Sequence, residues 1–120
     1  MAEIDRTELA RLLDAERAAF AEARPRSRAA AEEAADHLIG GVPMTWMAKW
    51  AGGFPIFLAE ARGNRLTDVD GHTYVDFALG DTGAMAGHSP APTIAAVRRQ
   101  VEEVGGITAM LPTPDAAWVA

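Results

Sequence analysis

The first third of the chain carries its bulky apolar residues at helical intervals. Within residues 5–23 these are Leu9, Leu12, Leu13 and Phe20, which fall on one face of a helix. Pro25 follows the run, and because proline has no N–H to continue a helix, we expect the helix to end there. A second helix is predicted from Ser27, a candidate N-cap, to Leu38, with Gly40-Gly41 as its C-terminal stop.

The pattern changes beyond Gly41. Aromatic and sulfur-containing side chains crowd into residues 43–50 with neither a helical nor an alternating period, which predicts an ordered loop. Three short strands are then predicted at about residues 56–60, 65–69 and 73–77. Gly63-Asn64 and Asp70-Gly71 separate them, and both pairs are typical of tight turns. The strands are therefore predicted to form an antiparallel meander.

A Gly-rich loop after the meander leads into a third predicted helix, at about residues 91–104. Pro90 and Pro92 suit the first turn of a helix, where an N–H group has no partner. The apolar residues of this helix recur at intervals of three and four, namely Ile94, Val97, Val101 and Val104. Thr113 and Pro114 predict a further helix, of which only the first turns fit before Ala120. Since helix nucleation costs more than one turn returns, we expect the chain to be truncated there.

Taken together, the elements predict an α+β fragment with N-terminal helices, a three-stranded antiparallel meander and then a helix that leads into a further region. Three segments are expected. Residues 1–39 form a helical extension, residues 40–88 a loop with the β-meander, and residues 89–120 the start of a second group of helices.

Composition excludes several classes of function. The net charge of -6 and the interleaving of Arg with Asp and Glu argue against a nucleic-acid partner, whose phosphates need clustered basic residues. The chain has no Cys, so it can form neither disulfides nor thiolate metal sites. No apolar run approaches the length of a membrane span, and the acidic start is unlike a secretory signal. A cytoplasmic protein without a membrane partner is expected.

Two motifs resemble the N-terminal hairpin region of class III aminotransferases. One extends from Gly63 through Asp76 as G-x-x-x-x-D-x-D-G-x-x-Y-x-D, and the other is Gly87-His88-Ser89-Pro90. The hairpin alone would fit many β-meanders, but the order and spacing of both motifs, with a helix after them, are typical of this family. Gly40-Gly41-Val42-Pro43 resembles a segment of the glutamate-1-semialdehyde aminomutases and their relatives in this family, and Leu111-Pro112-Thr113 resembles the start of the family's next helix.

The resemblance implies a fold-type I enzyme that uses pyridoxal 5'-phosphate (PLP). It implies a homodimer in which this chain supplies part of the small domain and then begins the α/β large domain. It also implies that PLP is bound by residues outside this chain, so no catalytic or cofactor-binding residue is assigned within it. Lys49 is the single lysine, and a Schiff base needs a lysine amine. A Schiff-base lysine also needs a phosphate site nearby, and no Gly-rich loop leads into a helix beside Lys49. We therefore expect Lys49 to be an exposed surface residue. A weaker alternative is that its ammonium group binds a substrate carboxylate.

The same resemblance predicts that two loops line the substrate side of the pocket. Aminomutases carry a Ser-Pro-x-Arg in the first loop, whose guanidinium meets the substrate carboxylate, whereas this chain has Met44-Thr45-Trp46-Met47. Because thioether and indole cannot replace a guanidinium fork, the difference favours a transaminase with a bulkier, more apolar substrate. Simple packing of Trp46 under the loop is an equal alternative. The second loop offers Asp81, as an Asx-turn residue or as a ligand for an amine or arginine.

The predicted substrate-binding residues are accordingly Met44, Thr45, Trp46, Asp81 and Thr82. No metal site is predicted, because the three histidines are dispersed. His88 is expected to cap the helix at Pro90 or to bond the preceding loop, and His37 and His72 to lie on the surface. Turn chemistry is expected to account for the three hairpin carboxylates, Asp68, Asp70 and Asp76.

The sequence thus predicts the N-terminal part of a PLP-dependent transaminase that moves an amino group between an amino acid or amine and a keto acid or aldehyde. The fragment alone is expected to be inactive and to fold poorly, with Val97, Val101, Leu111 and Trp118 exposed. Two alternatives remain: a glutamate-1-semialdehyde aminomutase, and a small non-enzymatic protein-binding module. Partners are expected to be a small-molecule amino donor and acceptor.

Overall fold

A computed structural model describes residues 4–105 together with residues 113 and 114. The chain divides into two compact units, Met1–His88 and Ser89–Ala120. The first unit contains two helices, the turn-rich segment and the sheet, and the second contains one described helix. No helix in the described parts of the chain has the length and apolarity that crossing a membrane requires.

Helix α1 spans Arg6–Ala23, and helix α2 spans Pro25–Ala35. Asp5 caps α1, since its Oδ1 accepts hydrogen bonds from the amides of Thr7 at 2.9 Å and Glu8 at 3.1 Å. Pro25 is the first residue of α2, where its missing N–H costs nothing, so it begins a helix as well as following one.

Two boundaries of the second helix were predicted wrongly. Ser27 does not precede α2 as an N-cap but lies within its first turn, fully buried. The helix also ends before Leu38, at Ala35, and Gly40-Gly41 lie in a separate 3₁₀ turn, Ile39–Gly41. The predicted ordered loop that follows contains a second 3₁₀ turn, Thr45–Ala48.

The predicted meander is confirmed as a three-stranded antiparallel sheet. Strands β1, β2 and β3 span Leu58–Arg62, Arg65–Asp68 and Thr73–Val75, in the spatial order β1-β2-β3. Leu66 on the central strand lies opposite Ala61 on β1 and Tyr74 on β3. The pairing of β1 with β2 shifts register between Leu58 and Glu60, and β1 starts and ends about two residues later than the hydrophobic pattern predicts.

In the second unit, helix α3 spans Ala91–Glu102, two residues shorter than predicted. Pro90 occupies its N-cap position and no side chain caps it, so the predicted cap by His88 is wrong. The helix predicted from Thr113 falls outside the described residues, apart from Thr113 and Pro114 themselves.

Little apolar surface is buried in the described residues. The buried apolar residues are Val42 and Ala84, at 5% and 7% exposure, whereas the two fully buried side chains are polar, Ser27 and Asp68. Large apolar residues of both units are exposed, among them Leu9, Trp46 and Val97. Interior positions of this chain are therefore held by hydrogen bonds more than by hydrophobic packing.

Candidate functional site

The first predicted substrate loop borders an apolar groove of about 450 Å³. All the residues that line it are apolar: Val42, Pro43, Trp46, Met47, Trp50, Pro55, Ile56, Phe57, Leu58 and Leu66. Trp46 lies in the Thr45–Ala48 turn and is 60% exposed, and Trp50 is 42% exposed. Of the three residues predicted here, Trp46 lines the groove, whereas Met44 and Thr45 are exposed and lie outside the lining.

The second predicted loop contains a strained 3₁₀ turn, Leu79–Thr82. Leu79, Asp81 and Thr82 have φ angles of 52°, 57° and 150°. Such values are unfavourable for residues with a side chain and cost on the order of 1–3 kcal/mol each, so they persist only where neighbouring contacts impose them. Asp81 and Thr82 are both exposed.

Among the described residues, the second loop contributes nothing to the groove beside the first. The groove beside Trp46 is lined by residues between Val42 and Leu58 and by Leu66, and none of its lining residues comes from Leu79–Thr82. The Asx turn expected at Asp81 belongs instead to Asp76. Its Oδ1 accepts hydrogen bonds from the amides of the residues two and three positions further along, at 2.9 and 3.0 Å.

A polar junction around the buried Asp68 joins the sheet to the helices, and we define it by Arg24, Asp68, His72 and Tyr74. The Tyr74 hydroxyl donates to Asp68 Oδ2 at 2.6 Å, and Arg24 Nε and Nη2 donate to the Tyr74 oxygen at 3.2 and 3.1 Å. His72 Nδ1 lies 3.1 Å from Asp68 Oδ2. The Arg24 guanidinium also stacks 4.3 Å above the ring centre of Phe20. These contacts fix the α1–α2 corner against the hairpin.

Asp68 lies at the centre of this junction. Burial acts to raise its pKa, but hydrogen bonds from the Tyr74 hydroxyl and from the backbone and ring of His72 outweigh burial, and the pKa lies below its ordinary value. Burial and the bond to Asp68 both raise the pKa of Tyr74, because a phenolate would face a carboxylate. The junction therefore pairs a carboxylate with a neutral phenol.

A second polar contact links the hairpin turn to the start of α2. Asp70 accepts hydrogen bonds from the amides of Arg26 at 2.7 Å and Ser27 at 2.9 Å, and from Ser27 Oγ at 2.7 Å. The Asp70 carboxylate thus caps α2 from more than forty residues away. Burial acts to raise the pKa of Asp70, but the bonds from Ser27 and Arg26 outweigh it and lower the pKa overall.

A third contact joins Asp76 to His88. His88 Nε2 lies 2.7 Å from Asp76 Oδ2, and because a carboxylate only accepts, the ring nitrogen donates. This hydrogen bond, together with those from the amides of Leu79 and Ala78, lowers the pKa of Asp76. His88 therefore bonds the stem of the preceding loop, which is the second of the two roles predicted for it.

Sequence reasoning underrated these carboxylates. Asp68 does accept the nearby amides of Asp70 and His72, as turn chemistry predicts, but its burial and its bond to Tyr74 were missed. Asp70 was assigned to the turn and instead caps a helix. Their spacing within D-x-D-G-x-x-Y-x-D was the available signal, since the alternation of a strand places Asp68 and Tyr74 within reach across a tight turn.

The single lysine and the helix N-termini are the described features that bear on cofactor binding. Lys49, the single lysine, is exposed after the Thr45–Ala48 turn, as predicted. A phosphate site at a helix N-terminus needs free amides. Asp5 occupies amides of α1 and Asp70 occupies amides of α2, whereas no side chain caps α3. Across the described ranges, no group of three or more metal-binding side chains is present either.

No family model matches the chain, but individual relatives do. It is 40% identical over 92 residues to glutamate-1-semialdehyde 2,1-aminomutase of Symbiobacterium thermophilum, a match that covers 74% of this chain and 21% of the relative. It is likewise 40% identical over 97 residues to the enzyme of that name from Sorangium cellulosum, over 79% of this chain and 22% of the relative.

Solved structures give the same result. A glutamate-1-semialdehyde aminomutase from Pseudomonas aeruginosa matches with a TM-score of 0.83 and 44% identity, over 97% of this chain and 25% of that one. A variant of that enzyme was solved in complex with PMP. A β-phenylalanine aminotransferase from Variovorax paradoxus matches with a TM-score of 0.78 and 29% identity, over 87% of this chain and 23% of that one.

The chain thus spans about a fifth of the length of the curated relatives it matches. Within that span, the sequence comparison and the structure comparison both match glutamate-1-semialdehyde aminomutases. The chain is therefore homologous to a part of glutamate-1-semialdehyde 2,1-aminomutases and shares its fold with a part of aminotransferases.

Proposed function

We propose that this chain is the N-terminal part of a class III, fold-type I transaminase that transfers an amino group between an amino acid or amine and a keto acid or aldehyde. The observation that carries the proposal is the match over 97% of the chain to an aminomutase whose variant binds PMP. PMP is the amino form of PLP, and PLP supplies the electron sink that such chemistry needs. On this proposal, the cofactor is bound by residues outside these 120.

The contribution of this chain is to shape the substrate side of the pocket. The apolar groove beside Trp46 offers indole and thioether surface to an apolar substituent. The exposed Asp81 and Thr82 offer a carboxylate and a hydroxyl to an amine or to an arginine of the same enzyme. Met44 and Thr45 complete the set of proposed substrate-binding residues, through their place beside Trp46 in the turn.

Glutamate-1-semialdehyde aminomutase is the second candidate function. It is favoured by sequence identity, because this chain is 44% identical to the aminomutase of known structure and 29% identical to the β-phenylalanine aminotransferase. It is disfavoured by Met44-Thr45-Trp46-Met47, where the aminomutase pattern carries an arginine. The apolar lining of the groove around Trp46 and Met47 supports the transaminase, because the carboxylate of glutamate-1-semialdehyde would need a cation there.

A non-enzymatic protein-binding module has less support, because the named relatives are aminomutases and aminotransferases. A homodimer, a cytoplasmic location and the segments 1–39, 40–88 and 89–120 stay predictions. The absence of nucleic-acid and membrane partners also stays a prediction.

The deciding experiment uses the whole protein that contains this sequence, purified and supplied with PLP. We expect it to transfer an amino group from an apolar or aromatic amine or amino acid to a keto acid. Conversion of glutamate-1-semialdehyde without a second acceptor would instead establish the aminomutase. A protein that neither binds PLP nor carries out either reaction would refute the enzyme proposal and leave the binding module.

Trp46→Ala tests the role of the groove. Because it removes the largest exposed apolar surface of the lining, we expect KM for an aromatic donor to rise about tenfold, equivalent to about 1.4 kcal/mol of lost binding. Ile39→Ala is the matched control, since Ile39 is 86% exposed but lies outside the groove lining. Equal effects of the two variants would contradict the assignment of the groove.

A further inference from the structure

The loop from Asp76 to His88 begins and ends on one turn of the hairpin. At its start, the Asp76 amide donates to the Asn64 carbonyl at 2.9 Å. At its end, His88 exchanges two backbone hydrogen bonds with Gly63, at 2.8 and 2.9 Å. Loops whose ends meet in this way are compact units that often carry functional residues.

Side chains close the same loop a second time. His88 Nε2 bonds Asp76 Oδ2 at 2.7 Å, while Asp76 Oδ1 accepts the amides of Ala78 and Leu79 at 2.9 and 3.0 Å. The Asp76 side chain is 6% exposed and that of His88 is 23% exposed. One carboxylate therefore connects the far end of the loop to the first residues of the strained turn.

The first residue with a strained backbone, Leu79, is one of the two whose amides donate to Asp76. Leu79, which donates to Asp76, has a φ of 52°, and Asp81 and Thr82 follow with φ values of 57° and 150°. Further along, the Ala84 amide donates to the Leu79 carbonyl at 2.9 Å, and Ala84 is buried. A strained conformation persists only while its surroundings impose it, and these contacts are the surroundings.

We propose that the Asp76–His88 hydrogen bond is a clasp that holds the Leu79–Thr82 turn in the conformation that presents Asp81 and Thr82. Asp76 and His88 are then positioning residues, which act through the turn without touching substrate. The positioning role rests on the proposed function, whereas the clasp itself does not.

Three variants of the whole protein test the clasp. His88→Leu keeps a similar volume but removes the ring nitrogens, His88→Gln keeps a donor near the place of Nε2, and His72→Leu removes the other histidine that bonds a hairpin carboxylate. We expect hydrogen exchange of the amides in residues 77–87 to rise at least about tenfold in His88→Leu, to recover in His88→Gln, and to stay unchanged in His72→Leu. Unchanged exchange in His88→Leu would overturn the clasp.

The holoenzyme then tests positioning. With PLP bound, we expect KM for the amino substrate to rise about tenfold in His88→Leu, with a smaller fall in kcat and with PLP content unchanged. Faster exchange with an unchanged KM would overturn the positioning role. If wild-type protein shows no amino transfer, the proposed function fails, and the exchange comparison still decides the clasp.

His88→Phe provides a second break if His88→Leu does not yield folded protein. Phenylalanine keeps a planar ring but has no nitrogen that can donate to Asp76, while Asp76 can still accept from Ala78 and Leu79. Faster exchange in residues 77–87 would support the clasp, and exchange equal to wild type would overturn it.

Discussion

The polar junction and the apolar face of α1 differ in whether their side chains find partners within this chain. At the junction, Asp68 is 1% exposed and receives hydrogen bonds from Tyr74, His72 and the hairpin backbone. On α1, Leu9 and Leu12 are 55% and 47% exposed although their spacing is that of a helix face made for packing. Polar groups thus find their partners inside the chain, whereas the apolar groups do not.

This difference indicates that covering the apolar face of α1 would stabilise the chain further. Covering apolar surface contributes roughly 25 cal/mol per Å², and α1 leaves that contribution unused. In the second unit, Val97 and Val101 are 56% and 60% exposed, as predicted, while Leu111 and Trp118 lie outside the described residues. Poor folding and inactivity of the 120 residues on their own stay predictions that this exposure supports.

Removing the centre of the polar junction should have the largest effect. Asp68→Ala removes the acceptor of the Tyr74 hydroxyl and the carboxylate that lies 3.9 Å from Arg24 Nε. We expect the free energy of unfolding to fall by about 3–5 kcal/mol, measured by urea denaturation of the protein that contains this chain. Asp14→Ala, at an exposed position of α1, is the control. A similar small loss in both variants would show that the junction does not stabilise the fold.

The link between the hairpin and α2 should matter less. Ser27→Ala removes the hydroxyl that donates to Asp70 and accepts from the Phe57 amide at 3.3 Å. The expected loss is about 1–3 kcal/mol, because buried partners are left unpaired. Glu33→Gln, at an exposed position of the same helix, should leave the urea midpoint unchanged. A Ser27→Ala midpoint equal to wild type would argue that the link is dispensable.

Stability should fall at both ends of the pH scale. The pKa values of Asp68 and Asp76 are lowered in the folded chain, so their contribution is complete above the ordinary value of about 3.9 and is lost as pH falls through the folded values. The raised pKa of Tyr74 acts in the opposite sense. Its contribution is present below about 10 and is lost as pH rises through the folded value.

Denaturation midpoints over a pH series check both signs. Tyr74→Phe should abolish the part of the alkaline loss that belongs to this phenol, whereas the acid loss should remain because Asp76 is unchanged. An alkaline loss of the same size in Tyr74→Phe would contradict the assignment to Tyr74.

Changes on the apolar face should have the smallest effect on stability. In the isolated chain, Leu9→Gln should change the free energy of unfolding by less than about 0.5 kcal/mol, because Leu9 has little packing to lose. It should reduce self-association, which light scattering measures, since it interrupts an exposed apolar patch. A loss of stability above about 1 kcal/mol would mean that the chain covers this face itself, and the comparison with the junction would fail.

Local patterns were sufficient to predict the elements. Helix α1, the three strands and α3 lie within about two residues of their expected positions, because apolar spacing and turn residues act over short distances. Ser27 was misplaced because its partner, Asp70, lies far away in sequence. No local rule could show that this serine is buried or that a distant carboxylate caps its helix.

Substrate binding by the predicted residues stays a prediction. Trp46, which the family resemblance places on the substrate side, lines an apolar groove, whereas Met44 and Thr45 lie outside its lining. The positive φ angles near Asp81 are held by contacts of Asp76 and Ala84, within five residues of it. Asp76 is itself bonded to His88, whose place follows from its pairing with Gly63, and a local sequence pattern does not reveal that pairing.

The meeting of Gly63 and Gly87 has a consequence for how this region can vary. A Cβ on Gly87 would approach the Gly63 backbone to 3.2 Å, and both glycines have positive φ angles, so side chains are disfavoured at this crossing point. The loop between Asp76 and His88 is therefore attached at both ends to the turn at Gly63 and Asn64. We expect changes in its length and composition to leave the register of the sheet intact, because both ends are anchored on one turn and longer loops add little closure cost.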